Sequence, residues 1–260
     1  MNRFIFSLYR IKSLRSRHLK NAWAILGSLF LSLTLSMAWA QLSPNGSKKN
    51  ILISNTVKTE QVTAVLSLYA PSGLEDKSPS GKPWLVFRLQ HAPEWHTYWK
   101  NPGDAGLATQ LTWSGPPGVD VGPVLWPQPE RIALGDLINF GYTNTSALIA
   151  PLRLNKPAQA LGATSIMKLH ASWLVCRQEC IPQEGDFELN LMNASIDSAI
   201  QMLVQNVLRS QPLALSLEAK QARATAVDGT DQLKLEIQGL PKALRGHRFD
   251  VFPEQALSLI

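Results

Sequence analysis

The chain has 260 residues, with 25 Lys and Arg against 19 Asp and Glu, a formal charge of +6 and a pI near 9.4. Six of the basic side chains (Arg3, Arg10, Lys12, Arg15, Arg17 and Lys20) fall in residues 1–40, which hold no acidic residue; the remaining 220 residues carry 19 of each sign. A surplus confined to one short segment excludes a basic nucleic-acid-binding surface, and 45% hydrophobic with 17% charged residues excludes a disordered chain.

After the basic stretch, Ala22–Leu35 is apolar apart from Ser and Thr, and Ser36-Met37-Ala38-Trp39-Ala40 follows. A positive start, an apolar core and a small-x-small ending are the three parts of a secretory signal, so residues 1–40 read as a signal peptide cleaved after Ala40. The alternative is an uncleaved anchor, because Ala22–Ala40 nearly reaches the length of a membrane span. Either way the rest of the chain is expected in an oxidising, extracytoplasmic space. Residues 41–56 begin QLSPNGSKKN and read as a flexible lead-in.

Residues 57–195 alternate in short runs broken by Pro and Gly. Val62–Tyr69, Trp84–Leu89, Leu111–Trp113, Ala147–Leu154, Ser165–Val175 and Phe187–Met192 are the clearest. Such runs point to an all-β fold, an immunoglobulin-like antiparallel β-sandwich of about seven strands, rather than βαβ units. Six of the eight Trp lie beyond residue 40, the densest cluster being Trp95-His96-Thr97-Tyr98-Trp99 before Asn101-Pro102-Gly103-Asp104. The expected reading is a strand whose alternate aromatics fill the sandwich, followed by a Pro-Gly turn. A sugar-stacking face would need those rings exposed, and shielding of the cysteines is a third use.

Cys176 and Cys180 are the only cysteines, which in an exported chain gives one pairing. As a staple, so small a loop contributes only ~2 kcal/mol. At an exposed turn it is instead open to an attacking thiolate and can be cycled. Arg177 favours a thiolate and Glu179 opposes one. Metal ligation is the third possibility, with His170 six residues before Cys176, but no fourth ligand is evident. No metal or other cofactor is therefore expected. The spacing alone leaves redox cycling, staple and metal open.

Residues 196–212 read as a short linking helix: Ile200, Leu203, Val204, Val207 and Leu208 fall at helical spacing behind a capping Asp197. In residues 213–260, Leu213–Ala226, Gln232–Gln238 and Arg248–Phe252 resume strand habit and read as an incomplete second β-module. About 48 residues are too few for a sandwich of their own. The chain stops inside an apolar run at Ser258-Leu259-Ile260, so it is expected to be the front part of a longer protein.

Several motifs occur in order: Trp95-His96-x-Tyr98-Trp99-x-Asn101-Pro102-Gly103-Asp104-x-Gly106, Trp126-Pro127-x-Pro129-x-Arg131, Phe140-Gly141-Tyr142, and Trp173-Leu174-Val175-Cys176-x-x-x-Cys180-Ile181-Pro182. Together, over Val57–Leu191, they resemble the N-terminal periplasmic domain of DsbD-like and ScsB-like protein-disulfide reductases. The resemblance implies an immunoglobulin-like domain whose cysteine pair takes electrons from the reductase's membrane and thioredoxin-like domains and passes them to exported partners, thioredoxin-like or isomerase-like thiol–disulfide proteins. It implies that Cys180 forms the mixed disulfide and Cys176 resolves it. It also assigns Pro129–Phe140 to a cap loop, with Ile132, Asp136, Phe140, Tyr142, Tyr98 and His96 as shielding residues. The three-residue cysteine spacing is nearer the ScsB-like branch. The transmembrane electron-donor domain is absent from this chain, and the protein is expected in the periplasm, tethered to the inner membrane if the full-length protein continues. The competing expectation is a non-catalytic periplasmic binding module with a structural disulfide, connected to copper handling.

Overall fold

Apolar–polar alternation sets the strands, and Pro and Gly end them. The computed structural model describes residues 6–10, 54–78, 81–162, 165–193, 197–212, 221–226, 233–238, 240 and 242–254. The strands are β1 Phe6–Arg10, β2 Ser54–Lys58, β3 Val62–Tyr69, β4 Trp84–His91, β5 His96–Gly103, β6 Gln110–Ser114, β7 Val119–Val121 and β8 Glu130–Leu134. They continue as β9 Leu137–Thr143, β10 Thr145–Leu154, β11 Ile166–Cys176, β12 Cys180–Asn190, β13 Gln221–Ala226, β14 Leu233–Gln238 and β15 Phe249–Pro253, with one helix, α1, at Ser198–Arg209. One compact unit is Met1–Ile11 with Lys49–Ile260. A second, Lys12–Lys48, lies outside the described residues, as do the apolar core and cleavage point of the expected signal.

Two antiparallel sheets form the sandwich, in the orders β2-β3-β4-β10-β7 and β12-β11-β5-β9-β8, with β6 also paired to β11. The fold is all-β and immunoglobulin-like. The inward faces of β3, β4, β11 and β12 meet in one core, where Phe87 stands edge-on to Phe187 at 5.4 Å and tilted against Trp173 at 6.0 Å. On β4 the outward residues are buried too. Trp84 and Val86, with Tyr69 and Ile149, lie under Ile200, Val204 and Val207 of α1. The helix begins as its sequence requires, with the Asp197 carboxylate accepting from Ala199 N at 2.7 Å. Its apolar stripe packs on the sandwich. Among the described residues no helix is long and apolar enough to cross a membrane.

Most of the expected cap loop, Pro129–Phe140, falls in the β8–β9 hairpin. Gly135, at φ +61°, and Asp136 make its tight turn, a backbone region glycine enters without steric cost. From the segment read as a second module, β15 lies against the sandwich. Phe252 packs with Trp99, Phe140 and Tyr142, and the Arg131 guanidinium covers both Phe140 and Phe252 while donating to Val251 O at 3.0 Å. Asn101 Nδ2 donates to Pro253 O at 2.8 Å. β1, from the basic start of the chain, pairs with β15, whereas β13 and β14 pair, among the described residues, only with each other.

Phe87 is wholly buried between two aromatic rings. Phe87→Ala should cost about 3–5 kcal/mol, read as a lower urea midpoint with an unchanged slope.

Candidate redox site

β11 and β12 run in unbroken register from Ile166 opposite Asn190 to Cys176 opposite Cys180, and Arg177-Gln178-Glu179 close the turn, with Arg177 N donating to Glu179 O at 3.0 Å. Directly opposed residues hold their Cβ atoms within disulfide reach. Here the Cα atoms are 4.2 Å apart and the sulfurs are bonded. Three intervening residues are what this hairpin mouth requires. The two sulfurs sit in unlike surroundings. β11 lies inside the sheet, with His96 of β5 directly opposite Cys176, and Cys176 is wholly buried. β12 ends the sheet order and Cys180 is exposed. Ile181-Pro182, the end of the cysteine motif, belongs to β12. An edge strand tolerates a proline because the missing N–H has no ladder partner to lose.

Strand alternation puts His96 and Tyr98 on the face of the cysteines. The Tyr98 hydroxyl lies 3.8 Å from Cys180 Sγ, and the His96 ring stands edge-on to Tyr98 at 5.3 Å. Both side chains are buried. The Asn-Pro-Gly-Asp-x-Gly stretch holds them there. Asn101 Oδ1 accepts from Gly103 N at 3.2 Å, and Asp104 Oδ2 accepts from Ile138 N at 2.7 Å. Ala105 N donates to Asn139 Oδ1 at 3.0 Å. The chain then turns back beside β5, bridging Tyr98 with Ala108. Gly106, at φ +106°, passes so close to Tyr98 that a Cβ there would run into the ring. Sequence reasoning took this stretch for a turn, carried Gly106 only as a motif position without a role, and missed Asn139. The signal was the second glycine, three residues after the Pro-Gly pair.

The electrostatics follow from burial. His91 is driven down to about 4, chiefly by desolvation, although the Asn144 carbonyl opposes the shift and His96 reinforces it. Its ring is fixed: Nδ1 donates to Asn144 O at 3.1 Å, leaving Nε2 to accept from the Thr97 hydroxyl at 2.9 Å. Burial also lowers His96 and raises Tyr98. Arg177 spreads over Trp95 at 5.2 Å and approaches Glu94 at 3.6 Å, both charges being largely exposed. It forms the rim of the site.

The structure brings Tyr98 and His96 to the disulfide. Ile132, half-buried, lies over Gly141, the β9 residue paired with Tyr98. Phe140 and Tyr142 join Trp99 and Phe252 in a separate aromatic cluster, where the Tyr142 hydroxyl donates to Pro127 O at 2.9 Å. Asp136 is exposed at the hairpin turn. His170 shares a strand with Cys176, but six residues along a strand span about 20 Å, and its Nδ1 meets Asp186 Oδ1 at 2.8 Å. Among the described residues no group of three or more His, Cys, Asp or Glu gathers to hold a metal.

Residues 71–191 match the family described as thiol:disulfide interchange protein DsbD, N-terminal. That stretch is similar to the N-terminal domains of DsbD- and ScsB-type proteins. The N-terminal periplasmic domain of ScsB from Proteus mirabilis is similar in fold, with a TM-score of 0.52 and 17% identity over 73% of this chain and 70% of that one. The Neisseria meningitidis DsbD N-terminal domain, in its reduced form, aligns at 15% identity over 48% of this chain and 83% of that one, with a TM-score of 0.29. No curated protein sequence matches. The Cys176–Cys180 bond lies within the matched residues.

Two outcomes test this geometry. Gly106→Ala should push Tyr98 from its seat, cost about 1–3 kcal/mol, and make the disulfide more quickly reduced by dithiothreitol. Gly73→Ala, at φ +95° with open space around it, should share the backbone strain and leave the reduction rate unchanged. Because His91 binds its proton less readily when folded than its ordinary 6.5, unfolding takes up a proton between those values. Stability is therefore full above about 6.5 and falls as pH drops toward about 4, by a few kcal/mol. His91→Gln should flatten that limb in urea titrations across pH.

Proposed function

We propose that this domain relays electrons in the periplasm, its reduced cysteine pair reducing disulfides in exported thioredoxin-like or isomerase-like partners. The observation that carries this reading is the inequality of the two sulfurs: Cys180 lies at the surface of an edge strand and Cys176 has no access to solvent. Only Cys180 can meet a partner. Its thiolate attacks a partner disulfide, one partner sulfur leaves as thiolate, and a Cys180–partner bond forms. Cys176 then attacks Cys180 Sγ, the 176–180 bond closes, and the partner's second sulfur departs. The partner gains two electrons and the cysteine pair loses two. Recharging the pair needs a dithiol donor, and the family resemblance points to a membrane-embedded one. An export signal over residues 1–40 would deliver the domain to that compartment, and a continuing chain would tether it to the inner membrane.

The test is a pair of variants incubated with disulfide-bearing periplasmic extract. Cys176→Ala should accumulate covalent complexes that dissolve with reductant, and Cys180→Ala should form none. Complexes on Cys176 instead, or equal trapping by both variants, would contradict the assignment.

A further inference from the structure

Three buried titratable side chains, His91, His96 and Tyr98, lie on or beside the start of β5, and one of them lacks a partner. His91 engages both ring nitrogens, and Tyr98 reaches Cys180. His96 is 3% exposed, and its Nε2 has no hydrogen-bond partner among the described residues. A buried polar atom left unpaired costs about 1–3 kcal/mol, so its retention calls for a use. His96 is the residue directly opposite Cys176, which sets the two side chains on one face with Cβ atoms about 5 Å apart.

Cys176 has a chemical need that this placement meets. A buried thiol resists ionisation, because its thiolate gives up hydration with nothing in return. Yet resolution of a mixed disulfide requires the thiolate. Water cannot take the proton at a wholly buried sulfur. Tyr98 reaches Cys180 and stands edge-on to His96, which lies opposite Cys176.

We propose that His96 Nε2 accepts the Cys176 proton as Cys176 attacks the Cys180–partner bond, and returns it to the departing partner sulfur. The step rests on the relay reading above. One S–S bond forms between Cys176 and Cys180 while the Cys180–partner S–S bond breaks. The electron pair of the broken bond leaves on the partner's sulfur, and the proton follows it through His96. The partner disulfide is the oxidant throughout. In the neutral ring with its proton on Nδ1, Nε2 is an acceptor, and burial keeps the ring neutral to lower pH than an exposed histidine. The charged and titratable groups around it are His91 on the preceding strand, Tyr98 on its own strand, and the cysteines across from it. Glu130 approaches through Thr143, the β9 residue opposite His96, and the Arg177–Glu94 pair lies at the rim.

The experiment is a single turnover of the reduced full chain with oxidised glutathione, quenched in acid and followed by mass spectrometry from pH 5 to 9. In the native protein the Cys180–glutathione adduct should decay at a rate that is level from pH 7 to 9 and falls only on the acid side of the ordinary histidine range, as His96 takes up a proton. His96→Gln should form the adduct at the native rate and resolve it about 100-fold more slowly at pH 7, recovering about tenfold per pH unit as Cys176 ionises unaided. Adduct that resolves at the native rate in His96→Gln overturns the inference and leaves the relay standing. A native profile that climbs tenfold per unit from pH 6 to 9 does the same without recourse to the variant. If glutathione never appears on Cys180, the relay reading falls and the inference with it.

Discussion

The direct opposition of Cys176 and Cys180 at the mouth of the β11–β12 hairpin is the constraint on which the site depends. Antiparallel register brings two residues four apart within bonding distance without any special loop. The same register places one sulfur on a strand inside the sheet and the other on its edge. Burial and exposure are thus assigned by sheet order rather than by local side chains. A cysteine pair at a helix or in a free loop would not inherit such an inequality. Here it follows from β5 lying beside β11 at Cys176.

The surroundings of the pair are built outward from β5. Its residues alternate between two duties. His96 and Tyr98 face the cysteines, and Trp99 faces the aromatic cluster that receives Phe252 from β15. The Asn-Pro-Gly-Asp-x-Gly stretch then uses its polar side chains to dock on β9 and its second glycine to lie flat against Tyr98. Each residue of that motif meets a specific demand: a side-chain turn at Asn101, left-handed backbone at Gly103, a carboxylate for Ile138 N, and the absence of a Cβ at Gly106. The tail segment adds its own ties through Asn101, Arg131 and Lys100, the last meeting Glu254 at 2.9 Å.

Much of this was legible in the sequence. Val62–Tyr69 declared itself as β3 by its run of β-branched and apolar residues, and the stripe of α1 was plain because both its cap and its periodicity agree with its packing. The cysteine pairing needed only a count. What stayed hidden depends on register. Phe140, Tyr142 and Tyr98 are all aromatic and close in space, but Tyr98 pairs with Gly141, so the two flanking rings turn to the other face. The start of β12 was masked by Ile-Pro, which reads as a turn until the strand is known to lie at an edge. The β8–β9 hairpin was masked by its mixed composition, and the unpaired Nε2 of His96 leaves no trace in a one-dimensional pattern.

The redox potential of the Cys176–Cys180 pair tests the central claim most directly, measured by equilibrating the protein with glutathione or dithiothreitol buffers and trapping free thiols. A relay must be reducible by the dithiols that feed it, so the potential should fall within the range of known oxidoreductases, about −120 to −270 mV. A value well below about −300 mV would mean that the bond is a structural staple, and would contradict the account.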